Sequence, residues 1–328
     1  MTDLRALSLS RDHDAFMPLL EAGGLRLSDG LDVLLGACVD DALMGCAGRR
    51  GNVIQCAAVR PEARGEGLLG TLVSRLITDI RIEGYDGAFV FTKPEASAQF
   101  SSLGFYELAR TREAVLLYSR KDGPKRYADA LPQLSGAPVG AIVMNANPFT
   151  NGHRYLIEQA LKNCAALYVF VVECDASRVP FADRLALVRA GTADLGHVAV
   201  VPGGPFIISE ATFPSYFLKR ATDASAVHAR LDATLFAERL APPLMITRRF
   251  VGSEPLDALT RQYNEALADI LPPRGVEVTV IERLAEDGAP VSASRVRTLW
   301  EAGRYDALAP LVPQPTLQYV KEHIQHES

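Results

Sequence analysis

Residues 143–160, VMNANPFTNGHRYLIEQA, decide how this chain is read. An apolar run of strand length, GAIVM from Gly140, reaches the turn Asn147-Pro148-Phe149, after which Thr150-Asn151-Gly152-His153 opens a helix. A strand that turns directly into a helix is the unit of open parallel sheets, where ligands bind beyond the carboxyl ends of the strands. Free N–H groups and the dipole at a helix N-terminus favour an anion there. Gly152 lets backbone approach a phosphate closely. Thr150 and His153, three residues apart, share one face of the first turn, and His153 can donate to negative charge developing on phosphorus. The same four residues also fit a plain cap, with Thr150 closing the helix end and His153 exposed beside it.

Downstream the pattern repeats. HRYLIEQALKN is helical, ALYVFVVE is again a buried-strand run, and FADRLALVRAG, HVAVVPG, the helical region 232–240 and ITRRFVGSE follow. Strand and helix in alternation predict a parallel sheet covered on both faces. Late in the chain, PVSASRVRTLW carries Ser292 or Ser294 as the cap of a new helix, flanked by Arg295 and Arg297. Two cations beside free helix N–H groups suit the outer phosphates of a nucleotide, or the segment is a surface helix with ordinary capping.

Upstream the character differs. LLGACV and VIQCAAV read as hairpin strands between glycine-rich turns. From Gly67 a long helix places Leu68, Leu72, Leu76 and Ile80 on one face, with Val73 and Ile77 beside them. AFVFTK and AVLLYSR supply further strands, so this half is expected to be mixed α+β. Between the halves, the segment around 121–138 has three prolines, two glycines and scattered charges without periodicity, which reads as a linker. The expected division is 1–122, a linker 123–137, and 138–328.

The 328 residues suffice for two domains, and nearly half of them are hydrophobic, too many for a disordered chain. With 34 basic against 39 acidic side chains the net charge is −5, which argues against a broad grip on nucleic acid or an anionic membrane. No apolar run approaches the ~18 residues of a membrane span. The first residues lack the apolar core of a signal peptide, so a cytoplasmic protein is expected. Five cysteines without a C-x-x-C pair indicate neither a disulfide framework nor a zinc ribbon, and are read as small buried apolar residues. Six histidines without an H-x-x-x-H pair make a histidine metal site improbable.

The second half resembles the cytidylyltransferase-type nucleotidyltransferase superfamily. Its H/T-x-G-H motif matches Thr150–His153, and its late I-S-S-T-x-x-R motif is matched by Val291 to Arg297, with Ala293 replacing one hydroxyl. Within that superfamily the chain is most similar to the citrate lyase ligase family. The similarity runs through MNANPFTNGHRYLIEQA, FADRLALV, ISEATFPSYFLK, DATLFAERLAPPL, ITRRFVGSEP, TRQYNEAL and SASRVR, in family order. The first half resembles the GNAT acetyltransferase fold that this family carries at its N-terminus, through VRPEARGEGLLGTLV and KPEASAQFSSLGF. The implied fold is α/β, a GNAT-like α+β domain followed by a Rossmann-like nucleotidyltransferase domain.

The resemblance implies an ATP-dependent ligase. It would activate acetate as acetyl-adenylate and acetylate the thiol of the CoA-like prosthetic group on citrate lyase acyl carrier protein. His153 and Thr150 would stabilise the α-phosphate, with Asn147 and Gly152 beside them. Arg297, Ser294 and Mg2+ would hold the departing pyrophosphate, with Ser292 and Arg295 as further nucleotide-binding candidates. Gly252 and Glu254 would meet the adenosine half of ATP, or form a tight turn. Arg184 and Asp232 are further candidates, or solvated helix-face charges. Arg64, Gly65 and Gly67 occupy the loop that wraps coenzyme A pyrophosphate in GNAT domains, with Leu69 where a small residue is expected; they bind a CoA-like arm or belong to a scaffold. A ligase for another carrier, such as that of malonate decarboxylase, and a nucleotide-cofactor adenylyltransferase are the competing readings.

Overall fold

A computed structural model of the chain describes residues 2–173, 177–208, 213–218, 224–254 and 257–323. It divides into two compact units, Met1–Gly123 with Phe213–Thr234, and Pro124–Thr212 with Leu235–Ser328.

The first unit is built on strands β1 (Thr2–Ala6), β2 (Val33–Val39), β3 (Ala42–Arg50), β4 (Val53–Val59), β5 (Phe89–Thr92), β6 (Tyr106–Arg110) and β7 (Val115–Tyr118), in the order β1-β2-β3-β4-β5-β7-β6. Its helices are α1 (His13–Ala22), α2 (Leu68–Ile82) and α3 (Ser97–Ser102). The face read from the sequence of α2 is the buried one: Leu68, Leu72, Val73, Leu76 and Ile80 enter the core. Neighbouring strands are antiparallel except β4 and β5, which run parallel and pair only through Val53–Phe89 and Ile54–Val90. Beyond that short ladder they diverge, and a cavity of about 510 Å³ opens between Ala57–Val59, Thr92, Lys93 and the start of α2. Tyr216 lines it too and donates to the Phe91 carbonyl at 2.8 Å.

The stretch expected to be a linker contains helix α4 (Gly123–Ala130). Periodicity could not show it, because the helix is short and its order comes from tertiary partners. Ala128 is buried, the Tyr127 hydroxyl donates to the Pro202 carbonyl at 2.7 Å, and Lys125 pairs with Asp129 one turn on.

The second unit carries a five-stranded sheet of β8 (Val139–Met144), β9 (Ala166–Val171), β10 (Val198–Pro202), β11 (Ile246–Gly252) and β12 (Glu277–Ile281), ordered β10-β9-β8-β11-β12 with every pair parallel. The central β8 and β9 read as continuous apolar runs because both their faces are covered, whereas the edge strand β12 is partly exposed. Helix α5 (Asn151–Leu161) links β8 to β9, and α6 (Phe181–Ala190) links β9 to β10. α7 (Ala224–Leu235), which through Thr234 belongs to the first unit, precedes β11 in the chain, and α8 (Ala258–Ile270) links β11 to β12. A small hairpin, β13 (Ala285–Glu286) and β14 (Ala289–Pro290), leads into α9 (Ala293–Glu301), and α10 (Gln314–Glu322) follows. From β8 the sheet grows through β9 to β10, and from β11 it grows the other way to β12. The strand order therefore reverses between β8 and β11, the place where open α/β sheets leave a crevice.

Of the cysteines, Cys38, Cys46 and Cys56 are buried and Cys164 is half-buried; Cys174 lies outside the described residues. Burial pushes the Cys46 thiol up to about 12 and that of Cys56 to about 11, so neither is a thiolate at neutral pH. Among the described residues no helix is long and apolar enough to cross a membrane.

Candidate active site

The crevice at the reversal is a cavity of about 830 Å³ whose lining includes Asn145–Asn147 after β8, Thr150, Gly152 and His153, the end of β11, and Val291–Arg295 with Arg297. The two motifs, about 140 residues apart in the sequence, thus open on one space. Each contributes a helix N-terminus with a hydroxyl cap. Thr150 caps α5 by accepting from the His153 amide at 3.3 Å, and Ser292 caps α9 by accepting from the Arg295 amide at 3.2 Å. Two helix ends aimed at one cavity concentrate free N–H groups and partial positive charge where a polyphosphate could sit.

His153 is held from both sides. Its Nδ1 accepts from the Thr150 amide at 3.0 Å, with the Thr150 hydroxyl 2.9 Å away, and its ring stacks on the fully buried Phe149. Because Nδ1 is an acceptor, the imidazole proton resides on Nε2, the atom left to donate. Burial pushes the His153 pKa down to about 4, and the positive charge of Arg283 adds to the shift. The imidazole is therefore neutral at physiological pH, with Nε2–H able to serve as a dipolar donor.

Gly152 faces the cavity, and the space a side chain would take is filled by protein. A Cβ there would lie 2.5 Å from the Val291 carbonyl oxygen. The missing side chain is what lets the backbone before α9 pack against the first turn of α5. Asn151 of the same motif turns away, its amide and carboxamide donating to the Leu311 and Pro310 carbonyls.

Arg297 ties the motifs together by donating to the Asn147 carbonyl at 2.6 Å. The Asn147 side chain accepts from the Val179 amide at 3.0 Å, which anchors the loop after β9. Arg295 lines the cavity while donating to the Glu286 and Ala289 carbonyls, so it secures the β13–β14 hairpin. Ser292 and Ser294 hydroxyls are 3.0 Å apart, with Ser294 exposed.

At the far rim, Gly252 ends β11 and accepts from the Asn264 carboxamide at 3.0 Å. Glu254, only 5% exposed in its side chain, is ion-paired with Arg283 and accepts from the Asp257 amide. Arg283 also donates to the Ser253 carbonyl at 2.7 Å. Pro255 lies outside the described residues.

Two weaker candidates sit elsewhere. Arg184 is not a solvated helix-face charge: it is fully buried and donates to the carbonyls of Asn145, Val172 and Val179 at 2.7–3.0 Å. It thereby ties the loops following β8 and β9 beneath the cavity, and no periodicity marks such a role. Asp232 is buried on α7, packs within the first unit and does not line this cavity. Of the ISEATFPSYFLK segment, 209–212 and 219 lie outside the described residues, and 213–218 belong to the first unit. Sequence reasoning missed Arg249 and Arg283, which line the cavity from β11 and from the loop after β12. The two consecutive arginines of ITRRFVG, in an otherwise apolar strand, were the signal available for Arg249.

In the first unit, Arg64, Gly65 and Gly67 line the 510 Å³ cavity at the N-terminus of α2. Gly65 and Gly67 adopt φ of +92° and +80°, and a Cβ at either would meet nothing within 4 Å, so the glycines serve backbone conformation and leave the loop open. Leu69 lines the cavity and also packs on the core.

Residues 139–320 match the family described as Citrate lyase ligase C-terminal domain. The chain is 40% identical to a [Citrate [pro-3S]-lyase] ligase of Klebsiella pneumoniae, covering 99% of this chain and 98% of that protein. A protein of the same name from Escherichia coli K12 is 41% identical over 94% of this chain and 90% of its own. Among solved structures, the ribosomal-protein-S18-alanine N-acetyltransferase of Escherichia coli is 16% identical, with a TM-score of 0.29, covering 36% of this chain and 92% of that one.

Proposed function

The chain belongs to the citrate lyase ligase family, and from that footing we propose that it uses ATP to acetylate the carrier-bound thiol of citrate lyase. The observation that carries the chemistry is the convergence of two capped helix N-termini, at Thr150 and Ser292, on the cavity at the β8–β11 reversal. Acetate oxygen attacks the α-phosphorus of ATP in line, and the bond from that phosphorus to the bridging oxygen breaks. Acetyl-adenylate and pyrophosphate result. The thiolate of the carrier's CoA-like arm then attacks the acetyl carbon, and AMP leaves.

Positioning and charge neutralisation dominate phosphorus chemistry of this kind. His153 donates through Nε2–H, and with Thr150 and the first amides of α5 it receives the α-phosphate. Arg297, Ser294 and the amides of α9 hold the departing pyrophosphate, with Ser292 ordering that helix end and Arg295 its hairpin. Asn147 and Gly152 bring the two helix ends together. The Gly252–Glu254 edge, with Arg283, borders the nucleoside. Among the described residues no cluster of three or more His, Cys, Asp or Glu side chains could hold a metal ion. Mg2+, when bound with the nucleotide, would neutralise charge on the triphosphate.

Pyrophosphate release from ATP and Mg2+ tests the reading: it is expected to require acetate and to precede any addition of carrier. Release that ignores acetate, or none even with deacetylated citrate lyase present, would remove it. The names of the relatives favour citrate lyase over the malonate decarboxylase carrier, and the acetate requirement separates a ligase from a nucleotide-cofactor adenylyltransferase.

The cavity of the first unit supports docking of the CoA-like arm. The loop Arg64–Gly67 offers backbone amides and a cation to a pyrophosphate, and Ala57–Val59 offer strand edge to a pantetheine chain. Calorimetric titration with dephospho-coenzyme A is expected to show binding that Gly67→Trp abolishes. Binding unchanged in that variant would place the arm elsewhere.

A further inference from the structure

Strand β11 carries two consecutive arginines with opposite fates. Arg248 reaches the sheet's outer partners, pairing with Glu277 at 3.3 Å and donating to the Asn163 carbonyl. Arg249 faces inward. It stands in register with Ala141 of β8 and Val278 of β12, in the middle of the sheet, and only 2% of it is exposed. Among the described residues its buried Nε and Nη1 meet no hydrogen-bond acceptor, and its guanidinium lies over the Phe236 ring, 4.7 Å from the centroid. Yet Arg249 is among the residues that line the 830 Å³ cavity.

A buried cation with unanswered donors is costly, and a π-face offsets only part of the loss. Such a group is stable when an anion completes it. The phosphate-binding features of the cavity, the N-termini of α5 and α9, lie beyond the carboxyl ends of the strands, whereas Arg249 is placed three residues before the end of β11. Along its own face of the sheet the neighbouring wall is apolar, formed by Val251 on β11 and Val143 on β8. A guanidinium at the base of an aliphatic wall matches a short monocarboxylate, whose oxygens would meet the planar fork once the side chain turns toward the cavity and whose alkyl end would rest on the valines.

We propose that Arg249 is the receptor for the carboxylate co-substrate, and that its charge lets a carboxylate share the cavity with a triphosphate despite their mutual repulsion. This rests on the ligase reading above and names the part of the site that takes the acid.

The test uses the full-length protein with [1-13C]acetate and α,β-methylene-ATP, a nucleotide that cannot transfer its adenylyl group to the acid. Acetate binding, followed by broadening of its carboxyl resonance, is expected in the parent and weakened by roughly 10- to 100-fold in Arg249→Met. Nucleotide affinity should change less than about twofold, and thermal stability of the empty Met variant should equal or exceed the parent's, since an unpaired buried charge has been removed. Arg249→Lys keeps the charge without the fork and should fall between the two. Acetate binding retained in Arg249→Met, no acetate binding by the parent, or a loss confined to nucleotide binding would each overturn the proposal. Pyrophosphate exchange by the parent separates the two readings: acetate-dependent exchange with an unchanged acetate KM in Arg249→Met sinks this inference alone. Acetate binding through Arg249 without any exchange sinks the ligase reading alone.

Discussion

His153→Ala is expected to lower kcat/KM for acetate-dependent pyrophosphate release by roughly 100- to 1000-fold, the loss typical of a preorganised donor to a developing oxyanion. The fold should survive. The variant gives up one acceptor for the Thr150 amide and a stacking contact on Phe149, a cost of about 1 kcal/mol. Single-turnover pyrophosphate release beside a thermal melt measures both quantities, and normal turnover would remove His153 from the mechanism. The same substitution should alter the pH dependence of stability. The unfolded imidazole titrates near 6.5 and the folded one near 4, lowered first by burial and then by Arg283. Between those values the unfolded state binds the proton and the folded state does not, so stability falls as pH drops through the window. The slope is at most roughly 1.4 kcal/mol per pH unit, and above 6.5 the group contributes nothing. His153→Ala should flatten the unfolding free energy between pH 4 and 6.5, which denaturant titrations at several pH values would show. An unchanged slope would mean that the imidazole is not shielded as the structure has it.

Gly152→Ala is the second large effect, and it acts on shape. Its methyl would meet the Val291 carbonyl at 2.5 Å, a distance no real Cβ tolerates, and the obstructing atom is backbone. Either α5 or the segment before α9 must move, which separates the two helix ends and strains the Arg297 bond to the Asn147 carbonyl. The expected cost is about 1–3 kcal/mol of stability, as for an overpacked core. Pyrophosphate release should fall together with affinity for ATP, because the proposed phosphate site draws on both helix ends. Chemical denaturation and nucleotide titration test this pair. A variant with parental stability and ATP affinity would show that the junction is looser than its geometry.

These two residues also mark what could be read in advance. The cap at Thr150, the buried face of α2 and the alternation of strand and helix follow from side-chain type and spacing, which are local. Arg184 was unreadable because a charge at a helix position is usually solvated, and only the surrounding carbonyls of Asn145, Val172 and Val179 turn it inward. The helix α4 was hidden for the same reason, since its order depends on the Pro202 carbonyl and on burial of Ala128.

By itself, the order of residues determined an α+β half followed by a parallel-sheet half, and a phosphate-suited turn at Thr150–His153. The repeat distance of apolar side chains and the chemistry of caps act over a few residues, and a linear chain displays them. Tertiary structure alone decided that Gly152 serves the Val291 carbonyl, that His153 is neutral with its proton on Nε2, and that Arg249 is buried with Nε and Nη1 unanswered among the described residues. Each of these depends on which distant backbone or ring comes to lie beside the side chain, and that is fixed only when the reversal of strand order between β8 and β11 closes the cavity around them.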